Sequence, residues 1–104
     1  MKGQYKKLHW TQHSKAKMRQ YGLSKNKLIN LLYKPQRKEQ GIVPGTTAVM
    51  KTNRSYSKKV KMAPGETWLM YKDVKNLRKI ISAWRYPGIS KPGEVADIIA
   101  KYSD

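Results

Sequence analysis

The side chains best suited to acid–base chemistry in this chain are its two histidines, His9 and His13. An unperturbed imidazole titrates at about pH 6.5, so His13 can exchange protons with a ribose hydroxyl at physiological pH. The spacing of four residues would place both rings on one side of a helix, but no nearby carboxylate or cysteine supplies a third metal ligand. We therefore predict that His13 is a general acid or base, with no metal and no cofactor. The alternative is a surface or helix-capping histidine beside a phosphate-binding patch.

The composition excludes several other kinds of active site. The chain has no cysteine, and therefore no thiol nucleophile, no thiolate zinc site and no disulfide. Its 6 acidic residues are scattered singly, which disfavours a nuclease that holds two metal ions on carboxylates. Cleavage without a metal requires RNA, because the ribose 2′-hydroxyl supplies a nucleophile that DNA lacks. The reaction then needs a base, an acid and fixed cations, which His, Tyr, Lys and Arg provide.

The net charge points to a polyanionic partner. The 104 residues include 23 Lys or Arg and 6 Asp or Glu, for a net charge of +17. No acid precedes Glu39, and a second basic run covers residues 51–65. We predict nucleic-acid contacts from both runs, although charge alone does not separate RNA from DNA, and a merely solvated basic surface is the alternative. The residues predicted to contact RNA are Lys15, Lys17, Arg19, Arg37, Lys38, Arg54, Lys58, Lys59, Lys61 and Trp84.

No stretch approaches the length of about 18 apolar residues needed for a membrane span, and no amphipathic helix carries Trp or Phe on its apolar face. We predict no membrane contact. The N-terminus also lacks an apolar leader, so we expect a cytoplasmic protein.

The most apolar segment, residues 78–86, predicts a strand with chemistry on both faces. Alternation places Ser82, Trp84 and Tyr86 on one face, with Arg85 on the other. If the first face is open, Trp84 offers a platform on which bases can stack. If Arg85 is open instead, its guanidinium can clamp a phosphate. The alternative for Trp84 is an ordinary core position.

Capping signals predict two helices in the first half of the chain. Residues 1–10 form a basic arm or a short strand. A helix then begins near Thr11 or Ser14 and ends at Gly22, and a second begins after Ser24 and ends at Pro35. The short connection resembles a DNA-reading helix–turn–helix, an alternative that the strand-like segments after Pro35 disfavour.

The rest of the chain predicts strands at 36–42, 46–52, 66–71 and 78–86 and a helix at 93–102. The predicted fold is one α+β domain, 1–104, with two N-terminal helices packed on a four-stranded antiparallel sheet, plus a C-terminal helix. Residues 53–65 are predicted to be a mobile basic loop, and residues 89–104 an added C-terminal helix. One core is expected to contain Leu28, Leu32, Val49, Leu69, Ile81 and Ile99.

Two segments carry a resemblance to a known superfamily. Residues 13–24 read HSKAKMRQYGLS and residues 81–86 read ISAWRY. Together with the predicted layout over about residues 9–88, they resemble the small toxin-like domains of the barnase–EndoU–colicin–RelE superfamily. The chain is most similar to an uncharacterised family in it that has an N-terminal His and an R-G-[IL]-S motif. Tyr21 stands where that family commonly has Arg.

The resemblance implies a metal-independent endoribonuclease, many relatives being toxins that are paired with an antitoxin or immunity protein. It implies that His13 is the catalytic residue on the helix, and that Arg85 or Tyr86 is its partner on the last strand. The predicted partners are thus RNA, ribosome-associated RNA included, and an acidic antitoxin or immunity protein. The alternative function is a non-catalytic RNA- or ribosome-binding module, with DNA binding as a third.

Overall fold

The computed structural model describes residues 7–53 and 65–104, and the α+β class is confirmed over them. The helices and strands occur in the order β1 Lys7–Trp10, α1 Gln12–Tyr21, α2 Lys25–Tyr33, β2 Arg37–Gln40, β3 Thr46–Thr52, β4 Glu66–Val74, β5 Leu77–Tyr86 and, after a 3-10 turn at Pro92–Glu94, α3 Val95–Tyr102.

The sheet has five strands and is mixed, so the prediction of four antiparallel strands is wrong in this detail. Its strand order is β1-β5-β4-β3-β2. β2 to β5 pair antiparallel, while β1 joins the edge of the sheet in parallel with Leu77–Ile80 of β5. Because β1 has only four residues and two of them are exposed, its sequence pattern did not separate a strand from an arm.

The first two helices begin and end where their capping residues predict. The Thr11 hydroxyl accepts a hydrogen bond from the Ser14 amide at 3.1 Å, and the Ser24 hydroxyl accepts one from the Lys27 amide at 3.1 Å. Gly22 ends α1 in the left-handed conformation, with φ of 67°, which a residue without a Cβ adopts most easily. These caps fix the register of His13 on α1 and of Lys27 on α2.

The sheet separates two apolar clusters, so the prediction of a single core is wrong. One cluster packs α1 and α2 onto one face of the sheet, and the other packs α3 onto the opposite face. Ile81 is the additional residue of a β-bulge opposite the Met70–Tyr71 step, and the buried isoleucine is Ile80. On α2 the buried side chains are Leu28 and Leu31, whereas Leu32 is only partly buried.

α1 runs beside the part of β5 that β1 leaves unpaired. At one end the Thr11 hydroxyl donates to the Ile80 carbonyl at 2.8 Å, and at the other Arg85 Nε donates to the Tyr21 carbonyl at 2.8 Å. This position buries Ser14 and Lys17, and it leaves His13 exposed on the first turn of the helix.

Among the described residues, none of the helices has the length and apolarity required to cross a bilayer.

Candidate functional site

His13 lies on the first turn of α1, with its ring directed at the backbone that follows α3. Its Nε2 atom is 2.7 Å from the carbonyl oxygen of Ser103. Because a carbonyl oxygen only accepts hydrogen bonds, Nε2 carries the hydrogen in this arrangement. The neutral ring then has its lone pair on Nδ1, and that atom is the one able to accept a proton.

Two further side chains bind the same stretch of backbone. Ser82 Oγ donates to the Ser103 carbonyl oxygen at 2.6 Å, and Lys17 Nζ donates to the Asp104 carbonyl oxygen at 2.6 Å. Lys17 is only 3% exposed, and this burial lowers its pKa, while the charge of Asp104 partly offsets the effect. His13, Lys17 and Ser82, which we call the His13 site, thus place three donors around two successive backbone oxygens.

The two residues predicted as catalytic partners on β5 lie away from the His13 site. Arg85 donates to the carbonyls of Tyr21 and Gly22, at the C-terminal end of α1, eight residues or about 12 Å of helix beyond His13. Tyr86 lies four residues beyond Ser82, about 13 Å along the strand. Its ring packs edge-on against Tyr102, with 5.5 Å between centroids. The structure therefore brings neither residue to the His13 imidazole.

Trp84 is fully buried, so the prediction of an open aromatic platform on its face of β5 is wrong. Its ring stacks on Trp68, with 5.7 Å between centroids and an interplanar angle of 6°. Val95, Ile98 and Ile99 of α3 pack in the same cluster and cover the pair. Trp84 cannot stack on a base because α3 occupies the face that was expected to be open.

The other residues predicted to contact RNA have different surroundings. Lys15 and Arg19 line an open groove between α1 and the start of α2, and Lys38 is exposed on β2. Arg37 has a structural role instead, since its guanidinium pairs with Glu39 at 2.7 Å and donates to Ser90 Oγ at 2.7 Å. Arg54, Lys58, Lys59 and Lys61, with most of the predicted loop, lie outside the described residues.

A second concentration of cations lies where α2 crosses the ends of β3 and β4. Lys27, Lys51 and Thr67 line a cleft of about 190 Å³ there, together with Asn30, Leu31, Thr52 and Asn53. Strand pairing places Thr67 between Lys51 and Arg85 in one cross-strand row. We call Lys27, Lys51, Thr67 and the neighbouring Arg85 the basic cleft.

The electrostatics of the basic cleft are those of uncompensated positive charge. Partial burial of Lys27 lowers its pKa, and the nearby Arg85 guanidinium lowers it further. All six carboxylates of the chain lie in the described ranges, and none of them lines the cleft. Such a site favours a ligand with negatively charged oxygens.

Sequence reasoning missed the grouping of these residues. Lys51, Thr67 and Arg85 each lie two residues along their strands from a buried residue of the first cluster: Val49, Leu69 and Ala83 respectively. Period-two alternation therefore assigns all three to the face covered by α2. The missing information was the strand register, which is set by tertiary pairing.

The histidine pair does not have the helical spacing that a metal site would need, because His9 lies in β1 and His13 in α1. Within residues 7–53 and 65–104, no group of three His, Cys, Asp or Glu side chains comes together.

Comparison of the chain with models of known families, with curated proteins and with solved structures found no match.

Proposed function

We propose that the protein binds RNA and cleaves it without a metal, with the His13 site as its reaction centre. The observation that carries this proposal is the convergence of His13, Ser82 and Lys17 on the backbone oxygens of Ser103 and Asp104. A phosphodiester offers oxygens that accept from the same donors and adds a full negative charge. Hydrogen bonds to charged acceptors are roughly twice as strong as those between neutral groups.

The proposed reaction is an internal transfer in the RNA strand. The ribose 2′-oxygen attacks phosphorus and the bond to the 5′-oxygen breaks, which leaves a 2′,3′-cyclic phosphate and a 5′-hydroxyl. One proton leaves the 2′-hydroxyl and one reaches the 5′-oxygen. His13 performs one of these transfers, while the ammonium of Lys17 balances the charge on the phosphorane.

For this reaction RNA must displace the Ser103 and Asp104 oxygens from the His13 site. RNA competes with the Ser103 carbonyl for His13 and Ser82, and with Asp104, whose charge also acts on Lys17, so the exchange requires a strand that is already held nearby. The resemblance to the barnase–EndoU–colicin–RelE superfamily supports the same activity. It also supports an acidic antitoxin or immunity protein as a partner, which would complement the net charge of +17, and we propose a cytoplasmic location.

The second candidate is an RNA-binding module without catalysis. One observation favours it: Nε2 of His13 already has an acceptor within the protein, so the imidazole also has a structural use. Under this proposal the basic cleft and the groove that contains Lys15 and Arg19 bind phosphates, and the strand is not cut.

Substitution of each histidine in turn distinguishes the ribonuclease from the non-catalytic RNA-binding module. Purified protein is incubated with RNA, and the first-order rate of cleavage is measured for the parent, His13→Ala and His9→Ala. His9 is the matched control because it is also exposed but lies in β1 and not on α1. Loss of a proton-transfer group costs about 10²–10⁴ in rate, so His13→Ala should lose nearly all cleavage and His9→Ala none. Binding without cleavage by the parent would leave the second candidate.

A further inference from the structure

We infer that the basic cleft is a second site, a binding site for a phosphate of the RNA backbone that is distinct from the His13 site. The inference rests on the proposed function only for the identity of the polyanion. It requires no cleavage, and it rests on a different set of residues.

The spacing of the cations fits a phosphate group. Directly paired residues on neighbouring strands have Cβ atoms about 5 Å apart, so Lys51 and Arg85 flank Thr67 within reach of one group. Lys27 approaches from α2, on the same wall of the cleft as Asn30 and Leu31. Two ammonium groups and a guanidinium from three different elements are therefore close to one another.

The surroundings leave this charge unbalanced. Glu66 is the carboxylate closest to the cleft in sequence, but it points to the other face of the sheet, where it accepts hydrogen bonds from Trp68 and Ser90. Glu39 pairs with Arg37, and Asp73 pairs with Arg78. Among the described residues, no carboxylate neutralises Lys27 or Lys51. Lys27 and Lys51 are both exposed, and a bound anion would balance the positive charge that they and Arg85 place around the cleft.

The size of the cleft restricts the ligand. Its volume of about 190 Å³ lies below the range of about 300–1,000 Å³ that is common for drug-sized ligands. A phosphate with part of its sugar fits such a volume, whereas a whole nucleotide needs more. The side chain of Asn30 adds a polar group at the wall, where the Thr67 hydroxyl already donates to Asn53 Oδ1 at 2.7 Å, and Leu31 supplies an apolar contact for the sugar. We therefore expect backbone recognition with little base preference.

The test uses a 2′-O-methylated oligoadenylate, which carries RNA-like phosphates and cannot be cleaved through a 2′-hydroxyl. Lys27→Glu/Lys51→Glu is compared with Lys34→Glu/Lys72→Glu, which changes the net charge equally at two exposed lysines outside the cleft. The cleft variant should lose at least about ten-fold more affinity than the control. Its log–log salt dependence should be shallower by about 1.4, for two lost contacts to a single strand.

A second measurement uses the unaltered protein, so that the inference is tested even if a double variant does not fold. Inorganic phosphate should shift the amide resonances of Lys27, Lys51 and Thr67 more than those of Lys34 and Lys72. The inference would be overturned if the two double variants lost affinity equally. It would also be overturned if phosphate shifted the amide resonances of the cleft residues no more than those of the control lysines. Binding of polyglutamate in the cleft without binding of the oligoadenylate would overturn it as well, since the site would then suit an acidic protein.

The phosphate-site inference and the ribonuclease proposal can be contradicted independently of each other. If the parent never cuts RNA but the cleft variant loses affinity as described, the inference stands and the ribonuclease proposal falls. If His13→Ala abolishes cleavage while both double variants bind alike, the ribonuclease proposal stands and the cleft is not a phosphate site.

Discussion

The His13 site and the basic cleft lie at opposite ends of α1 and differ in what their polar groups hold. The donors of the first site bind the backbone oxygens of Ser103 and Asp104. In the basic cleft Arg85 and Thr67 also have acceptors within the protein, but the two lysines have no hydrogen-bond or ion-pair partner within the described part of the chain. A donor that already has an acceptor must exchange it before it can act on a ligand, whereas an uncompensated cation attracts an anion at once. The comparison predicts that capture of RNA and chemistry on RNA are separable.

The largest expected effect is a division between rate and affinity. His13→Ala should lower the single-turnover rate at saturating RNA by about 10²–10⁴ and leave Kd within a few-fold. Lys27→Glu/Lys51→Glu should do the reverse, raising Kd while the rate at saturation stays near that of the parent. Rapid-mixing kinetics and a binding isotherm give both quantities. If both variants changed rate and affinity together, the two regions would form one site.

The next largest effect concerns α2, which carries one wall of the cleft. Leu28 is fully buried beneath α2, so Leu28→Ala should lower the free energy of unfolding by about 2–5 kcal/mol. Leu32→Ala should cost clearly less, because Leu32 is only partly buried. Urea unfolding of the two variants measures the difference. Equal losses would indicate that α2 is rotated relative to the sheet and that Lys27 does not face the cleft.

A smaller effect is expected in the free energy of unfolding when one polar side chain is removed from each of the two regions. Ser82→Ala removes one donor from the Ser103 carbonyl and should cost about 1 kcal/mol. Lys51→Met should change the free energy of unfolding by less than about 0.5 kcal/mol, because the ammonium group of Lys51 has no partner to lose in the described structure. Thermal or urea unfolding resolves a difference of this size. A larger cost for Lys51→Met than for Ser82→Ala would reverse the contrast drawn here.

The smallest effect is a pH dependence from Lys27, whose pKa lies below the usual 10.5 because of burial and the Arg85 guanidinium. As pH rises through this lowered pKa, Lys27 loses its charge and affinity for the oligoadenylate should fall a few-fold. Over the same window, up to 10.5, the unfolded chain binds more protons than the folded one, so the stability of the free protein should rise.

Lys27→Arg is the matched variant for this pH dependence, because a guanidinium does not titrate in the range of the measurement. Isotherms between about pH 7 and 10, at constant ionic strength, should decline for the parent and stay flatter for Lys27→Arg. Parallel declines would assign the titration to another group.

Local signals predicted the local structure well. Thr11, Gly22, Ser24 and Pro35 bounded the first two helices, because caps and breakers act on neighbouring residues. The apolar face of the C-terminal helix was also visible in sequence, but its packing partner was not. Which face of the sheet α3 covers depends on contacts between distant segments. Because α3 packs on the face that contains Trp84, this residue belongs to the core and is not a binding platform.

In the candidate sites too, the sequence indicated individual residues but not the residues that they contact. His13 stood out through its residue type and its place at the start of a helix. Its acceptor lies 90 residues away, on Ser103, and no spacing rule connects the two. Arg85 lies on the last strand, as predicted, but its distance from His13, its bond to the Tyr21 carbonyl and its proximity to Lys27 follow from how α1 and α2 pack on the sheet.

The most direct test of the central claim is to map the ends of RNA after incubation with the pure protein in EDTA. We expect fragments that end in 2′,3′-cyclic phosphate and begin with a 5′-hydroxyl, because the attacking group is the ribose 2′-oxygen and no metal takes part. The same RNA with 2′-O-methyl riboses should remain intact. Cleavage that EDTA abolishes, or fragments that carry a 5′-phosphate, would contradict this account.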